Sequence, residues 1–269
     1  MLKRVYLEIT NACNLNCSFC RNKKGNNYLG LEEIELYIKQ IKKHCDYIYL
    51  HIIGEPTMHP HFEEILCLLD SYDMKLQLVT NGTLLYKYPN IFFHKCLRKL
   101  SISMHSTNNL NNDSYLKNIY DIINNENKTN IELRFYDYDN LSDDLKDFLE
   151  KIKKEFKYEK TSKNNSYKIK NNVYVYFENL FKWPNINDKY ISSQGTCHGA
   201  IDIIAINSSS EVTICCLDPK AHNSIGNLKN ESLDNILQSK KYLDIIKEFK
   251  NNKISLELCS KCSYRLRFK

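Results

Sequence analysis

Three cysteines stand close together near the start of the chain, in Cys13-Asn14-Leu15-Asn16-Cys17-Ser18-Phe19-Cys20, and their x3 and x2 spacing is the first feature that could do chemistry. Thiolates this close, with no fourth cysteine nearby, suit an iron–sulfur cube better than a tetrahedral zinc, which takes four ligands. One iron of such a cube lacks a protein ligand, and an open coordination position is what separates a reaction centre from a structural staple. A structural zinc or an inert thiol cluster is the plainer alternative. A second set, Cys197, Cys215, Cys216, Cys259 and Cys262, lies near the other end of the chain. Cys45, Cys67 and Cys96 stand singly and read as small apolar filler.

These thiols need a scaffold. Val5-Tyr6-Leu7-Glu8-Ile9 alternates with β-branching and predicts a strand, so the cysteine loop leaves a strand's C-terminal end, where open α/β sheets place their ligands. Strand and helix then alternate. A helical stripe runs over Leu31 to His44, a buried strand over Tyr47 to Ile53 and a helix over Pro60 to Tyr72, with His59 and His61 read as solvent-facing helix-entry residues. A strand over Lys75 to Thr80 ends in the turn Asn81-Gly82, a helix is expected over Tyr88 to Cys96, and a strand over Leu100 to Met104. A helix near Tyr115 to Asn124, a strand over Ile131 to Tyr136, a helix over Leu141 to Phe156 and a strand over Val173 to Phe177 complete the pattern. Six such units imply a parallel sheet with helices outside, hence an α/β fold built as a partial (β/α)6 parallel barrel open at one side. The Lys- and Asn-rich run from Lys157 to Asn172 reads as a solvated, mobile insertion.

Trp183-Pro184 breaks the pattern and divides the chain into a barrel unit at 1–182 and a smaller unit at 183–269. In the second unit, Ile201 to Ile206 and Val212 to Ile214, joined by Asn207-Ser208-Ser209-Ser210-Glu211, predict a β-hairpin, and Leu233 to Phe249 predicts an amphipathic helix. A two-stranded hairpin is marginal alone in water, so a metal centre tying it to the helix and the last cysteine pair has a structural role.

The cysteine spacing, the aromatic Phe19 just before the last cysteine and the position after a first strand are together similar to radical S-adenosylmethionine (SAM) enzymes, and the chain resembles that superfamily. The resemblance implies a 4Fe-4S cluster on Cys13, Cys17 and Cys20, with its open iron chelated by SAM. One electron then breaks the sulfonium to give a 5′-deoxyadenosyl radical, which takes a hydrogen atom from substrate. Ile52-Ile53-Gly54-Glu55-Pro56 resembles the family's Gly-Gly-Glu-Pro motif, which holds the SAM amino group; Ile53 replaces the first glycine, and its carbonyl can still serve beside Gly54 and Glu55. By the same resemblance Thr80, Asn81 and Ser103 meet the SAM ribose and carboxylate, and Lys117 or Arg134 pairs the carboxylate. His105, Arg134 and Tyr136, at strand ends on the same rim, are the candidates for catalytic roles on the substrate side; a strand-end histidine with a purely structural hydrogen bond is the plainer account of His105.

The C-terminal unit resembles the twitch domain, the shortened form of the SPASM extension of radical SAM enzymes. Cysteines stand before and after a hairpin, Ile225-Gly226-Asn227-Leu228 precedes a helix, and the set closes on Cys259-Ser260-Lys261-Cys262. That resemblance implies one auxiliary 4Fe-4S cluster on Cys197, Cys215, Cys259 and Cys262, the second of two clusters. Cys216 competes for the second place, because adjacent side chains on a strand point to opposite faces. A zinc site on the same four is the plainer alternative. A fully ligated cluster would take the electron left on a substrate radical rather than bind substrate, which favours net two-electron oxidation. Family members of this kind act on small aminocyclitol-type alcohols or on ribosomally made peptides, with a flavodoxin- or ferredoxin-type reductant. A non-catalytic iron–sulfur or zinc-binding electron carrier on the same scaffold is the alternative reading.

Composition narrows the setting. The chain's 269 residues allow one large domain, or one large and one small, and its formal charge of +6 is scattered rather than gathered into a basic stripe, so no nucleic-acid partner is expected. No apolar run approaches a membrane span, and Met1-Leu2-Lys3-Arg4 leads into a strand rather than a signal peptide. The eleven cysteines fall mostly in two groups rather than spread as bridges, and a reducing, cytoplasmic compartment is expected.

Overall fold

Alternating burial along the strands sets the architecture in the computed structural model, which describes residues 2–20, 25–107, 113–125 and 128–268. The chain runs β1 (Arg4–Leu7), α1 (Leu31–Lys42), β2 (Tyr47–Tyr49), α2 (Phe62–Ser71), β3 (Lys75–Thr80), β4 (Leu97–Ser103), α3 (Asp113–Asn124), β5 (Asn130–Tyr136) and α4 (Asp143–Glu155). Two short strands, β6 (Glu159–Lys160) and β7 (Ser166–Lys170), precede β8 (Val173–Glu178). The strands β1-β2-β3-β4-β5-β8 pair in that order, all parallel, as the six-unit pattern predicts.

One face of each strand is aliphatic and packs on the helices. Val5, Leu7, Leu76, Leu78, Ile131, Leu133 and Phe135 are fully buried there, against the apolar stripe Ile34, Ile38 and Ile41 of α1 and its counterparts. The opposite face carries Arg4 and Tyr6 on β1, Ser103 on β4, and Arg134 and Tyr136 on β5, and it lines the interior. Because side chains alternate with a period of two, the register that pairs Ser103 with Arg134 and Tyr136 with Glu178 puts a polar row across the barrel's inner wall.

The remaining elements are β9 (Ile203–Ile206), β10 (Glu211–Thr213), β11 (Ser224–Asn227), α5 (Leu233–Gln238), α6 (Lys240–Lys250) and α7 (Glu257–Ser260). The hairpin forms as expected, β9 antiparallel to β10, but it does not stand apart. β9 pairs in parallel with β1, so that one eleven-stranded sheet, β11-β10-β9-β1-β2-β3-β4-β5-β8-β7-β6, runs through the described residues. The second cysteine set is thereby carried to the edge of the barrel.

Four expectations are corrected. The helix expected over Tyr88 to Cys96 is a single 3-10 turn, Ile91–Phe93, with another just before the span at Leu85–Lys87; Pro89 pushes Tyr88 out of the helical region, and Tyr88 sits at φ −121°, ψ 62°. The run from Lys157 to Asn172 is no loose insertion, because β6 and β7 add antiparallel strands to β8, with Tyr158 and Tyr167 stacked at 4.5 Å. Its lysines belong to an exposed sheet edge, where charge discourages further pairing. The helix over Leu233 to Phe249 breaks at Ser239, whose extended backbone ends α5 and whose hydroxyl accepts from Tyr242 N to cap α6. Cys45 and Cys96 are buried filler, but Cys67 is exposed on α2, away from the buried face of Phe62, Ile65, Leu66 and Leu69.

Candidate functional site

The first cysteine loop is held from below by two buried carboxylates. Glu8, 2% exposed, accepts from Ile53 N at 3.0 Å through one oxygen and from Ser208 N and Ser208 Oγ at 3.0 and 2.9 Å through the other. One side chain thus ties the exit of β1, the exit of β2 and the β9–β10 turn. Gly54 has no room for a side chain, since a Cβ there would lie 2.0 Å from Thr10 O. Glu55 N–H donates to Ala12 O at 2.8 Å, so the Gly-Glu-Pro segment is laced directly to the base of the cysteine loop.

Glu55 is the second. One oxygen accepts from Thr57 N (3.2 Å), Thr57 Oγ1 (2.6 Å) and Thr80 Oγ1 (2.6 Å), and the other from Asn81 N (2.7 Å). Burial pushes its carboxyl up from the ordinary range, against the opposing pull of these donors. The Asn81 side chain accepts from Thr83 N and donates to Asn14 Oδ1 at 2.9 Å, reaching the loop between Cys13 and Cys17. Thr80, expected to face a ribose, spends its hydroxyl on Glu55 and on Gly82 N–H. These residues brace the floor of a cavity of about 170 Å³ whose walls include Cys13, Cys17, Cys20 and the Ile53-Gly54-Glu55 segment, with Thr80, Asn81 and Ser103 also on its lining. The exceptions among the residues expected here are Arg134, which lines only the larger, adjoining cavity, and Lys117. Lys117 is exposed on α3, whose buried face is Tyr115, Ile119 and Ile123, and it lines neither this cavity nor the next.

A larger cavity, of about 350 Å³, shares Phe19, Cys20, His51 and Ser103 with the first and extends to Cys197, Cys215, Cys259 and Cys262. His105, Arg134 and Tyr136 line it as expected. The His105 ring stacks on Tyr136 at 4.6 Å and lies 5.1 Å from Phe19. Its Nδ1 is 3.1 Å from Arg134 O. A carbonyl only accepts, so Nδ1 carries the hydrogen and Nε2 presents a lone pair. The purely structural account of His105 therefore covers one nitrogen and leaves the other available. Arg134 donates to Ser103 Oγ at 2.5 Å.

Burial lowers two imidazoles of this cavity, His105 to about 4 and His51 to about 3, from an ordinary value of 6.5. Between pH 6.5 and 4 the unfolded chain binds protons that the folded chain does not, so this contribution to stability is complete above pH 6.5 and is lost as the pH falls. The urea midpoint is expected to drop between pH 7.5 and pH 5, and His51→Gln to flatten that drop; an equally steep decline in the variant would contradict it.

The C-terminal thiols line their end of the cavity rather than meet at one point: among the described residues, no three His, Cys, Asp or Glu side chains converge to hold a single metal ion. The fit to a thiolate-held metal group is seen in what points at the sulfurs. Gly199 N donates to Cys197 Sγ at 3.5 Å, Leu217 N to Cys215 Sγ at 3.4 Å and Asn223 Nδ2 to Cys259 Sγ at 3.5 Å. Donors aimed at sulfur suit thiolates, and in iron–sulfur centres such bonds help set the potential. Burial pushes the Cys197 thiol up to about 11 and also raises Cys259 and Cys262, with the neighbouring thiols adding to each shift; the bond to Cys216 and burial raise Cys215. Four such groups ionise together only around a cation. Of the adjacent pair, Cys215 sits by Cys197 and Cys259, whereas Cys216 lies against Tyr6 and Arg4.

Three supporting residues were not legible in the sequence. Asp218 accepts from His222 N and Asn223 N, fixing the loop that aims Asn223. Arg265, 3% exposed, donates to the carbonyls of Cys259, Gln194 and Ser192 at 2.8, 2.9 and 2.6 Å, clamping the loop around the last cysteine pair. Glu8 is the third. His59, expected in solvent, is buried with Nε2 3.0 Å from Leu29 O, because the chain before α1 folds over it; His61 is exposed as expected. A charged residue inside a buried strand run, as at Glu8, is the one available signal among these.

Residues 7–183 match the family model of the Radical SAM superfamily, and residues 197–263 match SPASM, an iron–sulfur cluster-binding domain. Among curated proteins, the tungsten-containing aldehyde ferredoxin oxidoreductase cofactor-modifying protein of Pyrococcus furiosus is 35% identical over 89 residues, 31% of this chain and 25% of that protein. The chain spans about a quarter to a third of the length of the curated relatives it matches. Among solved structures, BtrN in an open conformation superposes with a TM-score of 0.61 at 13% identity, over 98% of this chain and 92% of that one. BtrN has also been solved in complex with AdoMet and 2-DOIA. SuiB of Streptococcus suis bound to the precursor peptide SuiA superposes with a TM-score of 0.60 at 13% identity, over 99% and 72%. At these identities the likeness to the solved structures is one of fold.

Proposed function

The chain belongs to the radical SAM superfamily and carries a SPASM iron–sulfur cluster-binding domain, and on that footing we propose that it is a two-cluster oxidoreductase acting on a small polar substrate. Residues 1–182 form the SAM-binding unit and 183–269 the auxiliary unit in this reading. The observation that carries it is the single cavity of about 350 Å³ lined both by Cys20 and by Cys197, Cys215, Cys259 and Cys262. A substrate lying there reaches a hydrogen-abstracting group and an electron acceptor at once.

Cys13, Cys17 and Cys20 hold a 4Fe-4S cluster, with SAM in the smaller cavity against Ile53 O and Gly54, and Glu55 keeps that wall in place. Cys197, Cys215, Cys259 and Cys262 hold the auxiliary 4Fe-4S cluster, and Cys216 is not a ligand. When bound, these groups supply a 5′-deoxyadenosyl radical and an acceptor for the substrate's remaining electron. The protein positions the substrate between them. Phe19, Tyr136 and Trp183 exclude water, and His105 Nε2, neutral at pH 7, takes the proton that a two-electron oxidation releases. A flavodoxin- or ferredoxin-type protein of the cytoplasm is the proposed electron donor; no helix among the described residues is long and apolar enough to cross a membrane.

The cavity volume lies at the lower end for ligand sites, roughly 300–1,000 Å³, and favours a small molecule, in line with the 2-DOIA complex of BtrN. The likeness to peptide-bound SuiB supports a second reading, in which one peptide side chain enters the same space. Anaerobically reconstituted protein given dithionite and SAM is expected to form 5′-deoxyadenosine, faster with substrate present, and a deuterated substrate is expected to pass its label to the nucleoside. Intact clusters without nucleoside formation would rule the reading out.

A further inference from the structure

The cavity that reaches both cysteine sets holds two guanidinium groups with no carboxylate left to pair them, and we infer that the substrate brings an anionic oxygen group, a carboxylate or a phosphate, into the barrel. The inference rests on the preceding assignment of this cavity to the substrate.

The other charges on the lining are accounted for. Glu178 pairs with Arg267 at 3.0 Å, both oxygens of Asp218 accept backbone N–H groups, and Arg265 is spent on three carbonyls. Glu132, two residues before Arg134 on β5, is taken by Lys99 at 2.8 Å and Ser101 at 2.9 Å. Arg4 and Arg134 differ from these. The Nε of each is buried without a hydrogen-bond partner, and so is Nδ1 of His51 on the same wall. The His51 ring lies 5.6 Å from that of Tyr6 and 5.9 Å from that of Tyr49, the two phenols that flank Arg4, and it feels the charge of Arg134, so the three unpartnered nitrogens belong to one continuous stretch of wall.

Leaving a buried donor unsatisfied costs about 1–3 kcal/mol, more when it is charged. Two such donors in one cavity, the Nε groups of Arg4 and Arg134, are explained by a ligand that brings acceptors. A guanidinium presents a planar fork of donors that matches carboxylate or phosphate oxygens two at a time, and it cannot give up its charge to escape burial. Arg134 is further held by Ser103 and by the Tyr136 ring, 5.5 Å from its Cζ, so its fork is pre-oriented. The SAM carboxylate is the competing occupant. Arg134 does not line the smaller cavity beside Cys13, Cys17 and Gly54, which favours the substrate.

The test uses the anaerobically reconstituted, SAM-loaded protein and calorimetric titration with matched probes: glucose 6-phosphate against glucose, N-acetylalanine against N-acetylalaninamide, and inorganic phosphate. The charged member of at least one pair should bind tenfold or more tightly, about 1.4 kcal/mol, and the preferred pair identifies phosphate or carboxylate. Arg134→Gln should erase the preference, Arg134→Lys restore part of it and Arg4→Met weaken it, while SAM affinity measured on the same R134Q sample holds. The inference fails if neither pair discriminates, if discrimination survives both R134Q and R4M, or if R134Q weakens SAM rather than the probe. Failure to form 5′-deoxyadenosine would instead sink the proposed reaction, and the binding comparison would still read.

Discussion

Replacing Cys17 with alanine is expected to abolish 5′-deoxyadenosine formation while leaving iron and sulfide at the C-terminal cysteines. The first loop contains three thiols and no spare, and the chemistry proposed for it needs the fourth position open, so loss of one ligand leaves the cluster with two protein ligands. Cys17 is also the middle thiol, with its Sγ 3.5 Å from Ser106 O beyond β4, and no other cysteine lines the smaller cavity besides Cys13 and Cys20. Iron and sulfide analysis together with nucleoside chromatography reads both halves of the expectation. Cys67→Ala, on the exposed face of α2, serves as the control that should change nothing. At the other site, Cys215→Ser should remove iron and Cys216→Ser should not. Nucleoside formation at the wild-type rate by C17A would overturn the assignment of the first site.

Glu55→Gln is expected to destabilise the fold by on the order of 2 kcal/mol and to weaken SAM binding at least tenfold, even though it preserves shape. The reason lies in the partners. All four are donors as the side chain now stands, and two of them, Thr57 N and Asn81 N, are backbone groups that cannot reverse, one on each oxygen. Whichever way an amide turns, its NH₂ faces a backbone N–H. The hydroxyls of Thr57 and Thr80 can rotate to accept, which relieves part of the conflict on one side only. The clash falls on the wall formed by Gly54 and Asn81, hence on the SAM cavity. Urea unfolding and equilibrium SAM binding measure the two effects separately. A variant as stable as the parent, with unchanged affinity, would show that the carboxylate does not organise this wall.

How far the molecule could be read from its sequence follows the distance over which each feature is encoded. The cysteine triplet, the alternation of the inner strands and the stripe of α1 are repeated within a few residues, so the parallel barrel, its six-strand order and the two thiol groups were legible. Helices failed where a single residue overrode the pattern, at Pro89 and Ser239. The strand pair β6–β7 was missed because charged composition outweighs a short alternation, and an edge strand tolerates that charge.

The chemistry available to this chain, three thiols with room for one more ligand and a later set able to close around a second centre, was written in residue types and spacings, because a loop fits its own ligands locally. What only the tertiary structure decided were the partnerships across the chain. Glu8 meets Ser208, Arg265 reaches back to Gln194, Cys215 rather than Cys216 turns toward Cys197, and Arg134 is left without an acid while Lys99 takes Glu132. Pairings of this kind depend on how distant segments are brought together, and for Arg134, Lys99 and Glu132 on strand register, where a shift of one residue would turn each side chain to the other face.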